Sequence, residues 1–236
     1  MKRFFSYLAS FAFIVTLITA CSRREDIGPY QQAEQTYSLS NFNRLDMGSA
    51  FTIDVRQGNN FSIVATGDSR NLDDLDIYVR NNTLVARYRT NRNRKYETSF
   101  AITMPTLRGV SFSGASRSTV ADFTNIDELD VELSGASKGE FSVNAGRMNL
   151  ELSGASLLDV DGAGTTIQAE ISGASNLHAF NYPAERATID ASGASKADLT
   201  VANSLTVDAS GSSLVRYRGN PSVQQRVSGA SKVQPD

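Results

Sequence analysis

The stretch Leu129-Asp130-Val131-Glu132-Leu133-Ser134-Gly135-Ala136-Ser137 decides the fold. Its first five residues alternate apolar and polar, the period of a strand with one buried face. Its last four break the alternation with a glycine, the residue that takes a positive φ where a chain must turn sharply. The unit recurs. Ser-Gly-Ala-Ser begins at Ser113, Ser134, Ser153, Ser172, Ser192 and Ser228, and Ser-Gly-Ser-Ser begins at Ser210, with spacings of 18 to 21 residues. The alternation before it returns in Met148–Leu152, Ile167–Ile171, Ala187–Ala191 and Leu205–Ala209. A weaker one follows it, in Phe141 and Val143, Leu158 and Val160, Leu177 and Ala179, Leu199 and Val201, and Val215 and Tyr217.

Internal repeats of about 20 residues mean a solenoid. No repeat has room for a helix, and both the leucine-rich spacing and the calcium-binding Gly-Gly-x-Gly-x-Asp nonapeptide are missing. What remains is an all-β chain wound as a parallel β-helix, one coil per repeat. The variable coil length favours the right-handed form over left-handed hexapeptide coils, which keep a fixed turn. In this reading Gly makes the corner and Ala tucks inside it. The Ser hydroxyls bond to nearby backbone and stack into ladders. Gly-x-Ser-x-Gly is absent, so no nucleophile elbow is indicated.

Ahead of the repeats, strands are expected at Tyr37–Met47, Phe51–Arg56, Phe61–Ala65, Asp76–Arg80, Thr83–Arg89 and Thr98–Met104, with a helical turn within Asp68–Leu75. This part is expected to cover one open end of the stack, because a solenoid must hide its terminal core. The stretch Arg216–Pro221 and the last coil, Val223–Val233, are expected to close the other. Residues 36–236 then form a single β-helical domain, with a strand-rich part at 36–107 and the repeats at 108–236.

The chain opens with Lys2 and Arg3, an apolar run to Ala20 and a polar stretch after Cys21, the pattern of a secretory signal at residues 1–20. Ile18-Thr19-Ala20-Cys21 resembles the bacterial lipobox. The resemblance implies cleavage before Cys21, diacylation of its sulfur and stable membrane attachment, since two or more acyl chains hold where one does not. Residues 21–35 read as a flexible tether. The expected address is the bacterial envelope, lipid-anchored in the outer membrane, with the periplasmic or surface face left open. A single Cys rules out a disulfide framework and a multi-Cys zinc site. A single His makes Ser-His-Asp catalysis improbable. The net charge of −2 gives no general drive towards nucleic acid.

Two polar features stand out. Two residues before each tetrapeptide come Ser111, Glu132, Glu151, Glu170, Asp190, Asp208 and Arg226, an outward column with five consecutive acids. One reading is a solvated acidic face. The other is a column that, with Asp130 beside it, binds cations such as Ca²⁺ or positively charged ligands, because carboxylate oxygens suit hard cations. No other cofactor is implied. The second feature is Arg87-Tyr88-Arg89-Thr90-Asn91-Arg92-Asn93-Arg94-Lys95-Tyr96. Arg87 and Arg89 share the outward face of a strand, and Arg92, Arg94 and Lys95 lie in an expected hairpin loop. The readings are a solvated loop or a contact with anionic sugar or lipid head groups. His178, between inward Leu177 and Ala179, is expected to face solvent.

The lipoprotein signal, the stretch Phe42-Asn-Arg-Leu-Asp-Met-Gly-Ser-Ala-Phe-Thr-Ile-Asp-Val-Arg-Gln-Gly58 and the serial Ser-Gly-Ala-Ser units together resemble the bacterial family described as "putative auto-transporter adhesin, head GIN domain". The resemblance covers roughly residues 40–234. It implies a secreted or envelope-anchored β-helical protein and carries over no catalytic residues. Two functions stay open. The first is a non-catalytic adhesin or ligand-binding scaffold, meeting glycans or proteins of the envelope or host surface. The second is a carbohydrate-active β-helix enzyme acting on acidic polysaccharide, which needs carboxylates converging in one cleft.

Overall fold

A computed structural model describes residues 28–236, and Gln31–Asp236 form one compact unit. The signal at 1–20 and Cys21 lie outside the described residues. The elements are β1 (Gln32–Thr36), β2 (Arg44–Met47), β3 (Thr52–Gln57), β4 (Ser62–Asp68), α1 (Ser69–Leu72), β5 (Leu75–Arg80), β6 (Thr83–Tyr88), β7 (Thr98–Met104), β8 (Gly109–Phe112), β9 (Arg117–Leu133), β10 (Lys138–Leu152), β11 (Leu157–Ile171), β12 (Asn176–Ala191), β13 (Lys196–Ala209), β14 (Leu214–Arg218), β15 (Ser222–Val227) and β16 (Lys232–Pro235).

The repeats stack in register as parallel neighbours, so that Leu133, Leu152, Ile171, Ala191 and Ala209 lie one above another. The result is a β-solenoid of about 7 turns with ~19-residue coils. The alternation does what its period demands. The apolar member of each pair enters one continuous core and the polar member stays outside.

The glycines of the tetrapeptides, Gly114 to Gly229, all take φ between +69° and +80°. From Gly114 to Gly211, each of these Gly carbonyls accepts a 2.7 Å bond from the amide directly after the glycine of the next coil, as in Ala155 N to Gly135 O and Ala174 N to Gly154 O. Gly is required twice over, because a Cβ on Gly154 would stand 2.5 Å from the Gly135 carbonyl oxygen. One expectation is corrected. The Ala of the corner is exposed, and the buried residue is the second Ser, from Ser116 to Ser231. The left-handed glycine reverses the chain so that the next residue projects out and the one after it in. That Ser can also do what Ala cannot. Ser156 Oγ donates to Ser153 O at 2.7 Å and Ser213 Oγ to Ser210 O at 3.0 Å, closing the corner from inside. The hydroxyl ladder forms in part, as between Ser116 and Ser137 at 3.1 Å.

Each long strand passes through a second bend, where the ladder between β11 and β12 is interrupted from Asp159 to Thr166. Tyr182 fills that gap with no exposed surface. Its hydroxyl donates to Ala145 O at 2.9 Å and accepts from Ala145 N at 3.3 Å, across an intervening coil. The intervening coil supplies Gly164 there, where a Cβ would overlap the Tyr182 hydroxyl. Burial pushes the Tyr182 phenol pKa up.

Residues 31–107 cap one end, as expected, but out of chain order. β2 and β3 make a coil directly under β8 and β9, and β6 and β7 stack parallel beneath that coil. β5 and β4 then pair antiparallel with β6 and β7, and β1 pairs antiparallel with β4 at the edge. Of the strand expected at Tyr37–Met47 only the end, β2, forms; β1 lies before it, and the segment between them carries Asn41 at φ +62°. Strand β1 begins inside the segment read as tether, so the body starts near Gln31. Asp68 secures that start by accepting from Gln31 N at 3.0 Å and pairing with Arg70 at 2.7 Å. The Arg70 hydrogen bond holds the buried Asp68 carboxyl well below the ordinary carboxylate range.

Among the described residues no strand covers the other end. Arg216–Pro221 forms a bend within its coil, with Gly219 stacked against the Val201 carbonyl, and does not fold over the stack. Among the described residues β15 has only β13 as a ladder neighbour and β16 only β14.

Candidate functional site: an acidic strand face

The register sets the column as the spacing required. Ser111, Glu132, Glu151, Glu170, Asp190, Asp208 and Arg226 are successive ladder partners. Neighbours one coil apart are about 4.8 Å from each other along the backbone. At one end Ser111 Oγ donates to Glu132 at 2.9 Å, and at the other Arg226 pairs with Asp208 at 3.0 Å and offsets its charge. Glu151, Glu170 and Asp190 are exposed and have no cationic partner among the described residues. The column also runs one coil further than the repeats disclose, because exposed Asp46 on β2 partners Ser111. The signal lay in Leu45-Asp46-Met47-Gly48-Ser49-Ala50-Phe51, an apolar-acid-apolar strand and a corner without the tetrapeptide.

Asp130 is not free beside the column. Arg44 reaches across Gly109 to pair with it, and a Cβ on Gly109 would strike that guanidinium. Asn149 Nδ2 donates to Asp130 at 2.8 Å and to Glu128 at 2.9 Å. These side chains border a groove of about 660 Å³ that runs past Asp46, Glu132, Glu151 and Glu170. Among the described residues, no three His, Cys, Asp or Glu side chains are grouped closely enough to hold a metal ion. The acids form a line and not a chelate.

The basic stretch is arranged differently from the expectation. β6 and β7 do not pair with each other, so residues 89–97 are a coil corner and not a hairpin loop. Arg94 turns inward, 12% exposed, onto Asp74, with its guanidinium 3.4 Å above the Tyr88 ring. Burial favours a raised Asp74 pKa, yet the Thr90 hydroxyl and the Arg94 charge hold it below the usual value. Arg87 pairs with Asp76 at 3.2 Å, while Arg89 and Arg92 donate to the carbonyls of Asp73 and Arg70. Arg87, Arg89, Arg92 and Lys95 remain exposed, so four of the five expected contacts reach solvent while Arg94 anchors the corner. His178 faces solvent, its Nδ1 2.7 Å from Asp159.

The model of the family described as "putative auto-transporter adhesin, head GIN domain" matches residues 41–221. The chain belongs to this family. Solved structures share the family fold at low identity. A putative adhesin from Bacteroides fragilis superposes with a TM-score of 0.81 at 20% identity, over 87% of this chain and 97% of that one. One from Parabacteroides merdae gives 0.70 at 15% identity, over 89% and 98%. A putative lipid binding protein from Parabacteroides distasonis gives 0.65 at 13%, over 87% and 96%. No curated protein matches the sequence. Head GIN membership agrees with an adhesin-like, non-enzymatic role at the cell envelope or surface.

Proposed function

We propose that this head GIN protein is a non-catalytic lipoprotein, anchored in the outer membrane through Cys21, that displays its solenoid as an adhesin or ligand-binding scaffold. Its acidic strand face meets positively charged groups on a glycan or protein of the envelope or host surface. One observation carries the reading: among the described residues Glu151, Glu170 and Asp190 stand exposed and without an ion-pair partner in one file, and Glu151 and Glu170 border the groove. Such a file matches an extended partner with repeating cationic groups, because separated rows of charge select a partner through complementarity. It suits display better than cleavage of acidic polysaccharide, which needs acids converging on one bond and would bring an anionic substrate against carboxylates.

The test is a glycan and host-matrix array probed with the chain and with a Glu151→Gln, Glu170→Gln, Asp190→Asn variant. The proposal expects binding that weakens with salt and is lost in the variant. Binding that survives neutralisation would remove the acidic face from the function. Metabolic labelling with palmitate tests the anchor, and Cys21→Ser should abolish the label.

A further inference from the structure

The capped and open ends of the stack differ in a way that points to a partner. At the first end the stack closes with antiparallel strands, β4 and β5 on the last parallel coil and β1 on β4. At the other, β15 and β16 each have one ladder neighbour. The core columns reach that edge unfinished. Val223 follows Leu205 and Val227 follows Ala209, yet Val227 is 42% exposed and Val223 is only partly covered. Gln225 occupies the inward place that Val131, Leu150, Ala169, Ile189 and Val207 fill below it.

The backbone fixes which groups are free. Ser228 N donates down to Ala209 O, as Ser134 N donates to Phe112 O at the equivalent place and Asp130 N to Arg108 O four residues earlier. In a parallel ladder, alternate residues bond to opposite neighbours. Gln224 and Arg226 therefore bond down to β13, and the N–H and C=O groups of Val223, Gln225 and Val227 point out of the open edge.

We infer that this edge is the docking surface for a second copy of the chain, through a two-fold axis at Gln225 that pairs β15 antiparallel with its counterpart. The register is self-complementary in every respect that matters to a strand pair. Gln225 faces Gln225 of the partner subunit, and their free backbone groups form a doubly bonded pair. The side-chain amides there carry both donor and acceptor. Val223 faces the partner subunit's Val227 on the inner face, continuing the apolar columns. Gln224 faces the partner subunit's Arg226 on the outer face, so no like charges meet. The same residues that expose free backbone are the ones that carry the inward side chains, so hydrogen bonding and core closure require one and the same register. A shift by one residue would turn the valines out of the core and leave the free groups unmatched.

The experiment is sedimentation across a wide concentration range with the chain carrying Cys21→Ser, so that no lipid adds its own association. It is joined to hydrogen exchange at Val223, Gln225 and Val227. The inference expects a monomer–dimer equilibrium, with those three amides protected only in the dimer. Gln225→Pro removes an N–H that the fold does not use and places proline where edge strands tolerate it. It should weaken dimerisation about tenfold or more, through one lost backbone bond on each side, with melting of the monomer unchanged. If Gln225→Pro disturbs the last coil, Gln225→Glu decides instead, because two carboxylates then meet on the axis and the dimer weakens most at low salt. A chain that stays monomeric throughout overturns the inference. So does a dimer indifferent to both substitutions, or a monomer whose edge takes up an unrelated extended peptide.

Discussion

Replacing Gly154 by Ala separates the two reasons for the corner glycine. Gly154 sits at φ +77° and a Cβ there would be 2.5 Å from Gly135 O. The left-handed conformation costs a non-glycine residue about 1–2 kcal/mol. Relieving the overlap must displace a backbone carbonyl in a packed corner, on the order of 1–3 kcal/mol. It also lengthens the 2.7 Å bond from Ala155 N to that same carbonyl, a further ~1 kcal/mol. The substitution should therefore cost roughly 3–6 kcal/mol. Gly114 is the control. It has nearly the same φ, +80°, but its nearest atom to a Cβ is Ser49 N at 3.3 Å, because the coil below lacks a stacked glycine. Gly114→Ala should cost only the conformational part, about 1–2 kcal/mol. Urea unfolding followed by circular dichroism, with midpoints compared at a common slope, reads the difference. Equal losses in the two variants would show that crowding between stacked glycines contributes nothing, and the physical account of the tetrapeptide would fail.

Further outcomes follow from other contacts. Tyr182→Phe leaves the Ala145 amide and carbonyl without their buried partner and should destabilise the chain by about 1–3 kcal/mol in the same assay; a loss below the error of the fit would refute the bridge. Asp68 has its carboxyl pKa lowered in the fold by the Arg70 contact. Near and below pH ~4 the unfolded chain then binds more protons than the folded one, so this contribution is present above that pH and lost as pH falls towards the depressed folded value. Asp68→Asn should flatten the acid limb of a pH–stability curve, and an unaltered limb would contradict it. Neutralising Glu151, Glu170 and Asp190 should stabilise by about 1 kcal/mol per relieved contact at most, and only at low salt. Since the acids do not cluster, millimolar Ca²⁺ should raise the melting temperature no more than Mg²⁺ does; a specific Ca²⁺ effect would restore the chelate reading.

The coils and their register were legible because period and spacing dictate them. Strands of period two and a glycine every coil leave one winding, and the acid column follows from counting two residues back. What was hidden came from contacts between distant segments. Nothing local says that β2 and β3 slot between the repeats and β6–β7, so Asp46 was not assigned to the column. Arg94 and Asp74 look like loop charges until Tyr88 is stacked beneath the guanidinium. Asp130 looks like a free acid until Arg44, distant in sequence, crosses Gly109. The Ala and Ser of the corner exchange roles because the left-handed glycine, and not residue size, sets which one points inward.

The body begins at Gln31 beside β4, at the capped end, and the bare edge lies at the opposite pole of the strand order. About seven coils put roughly 30 Å between those poles. Two molecules joined at their bare edges would thus hold their Gln31 ends at opposite poles of the pair. That is the geometry of a rivet holding two facing sheets together, and it differs from a pair of posts standing on one floor.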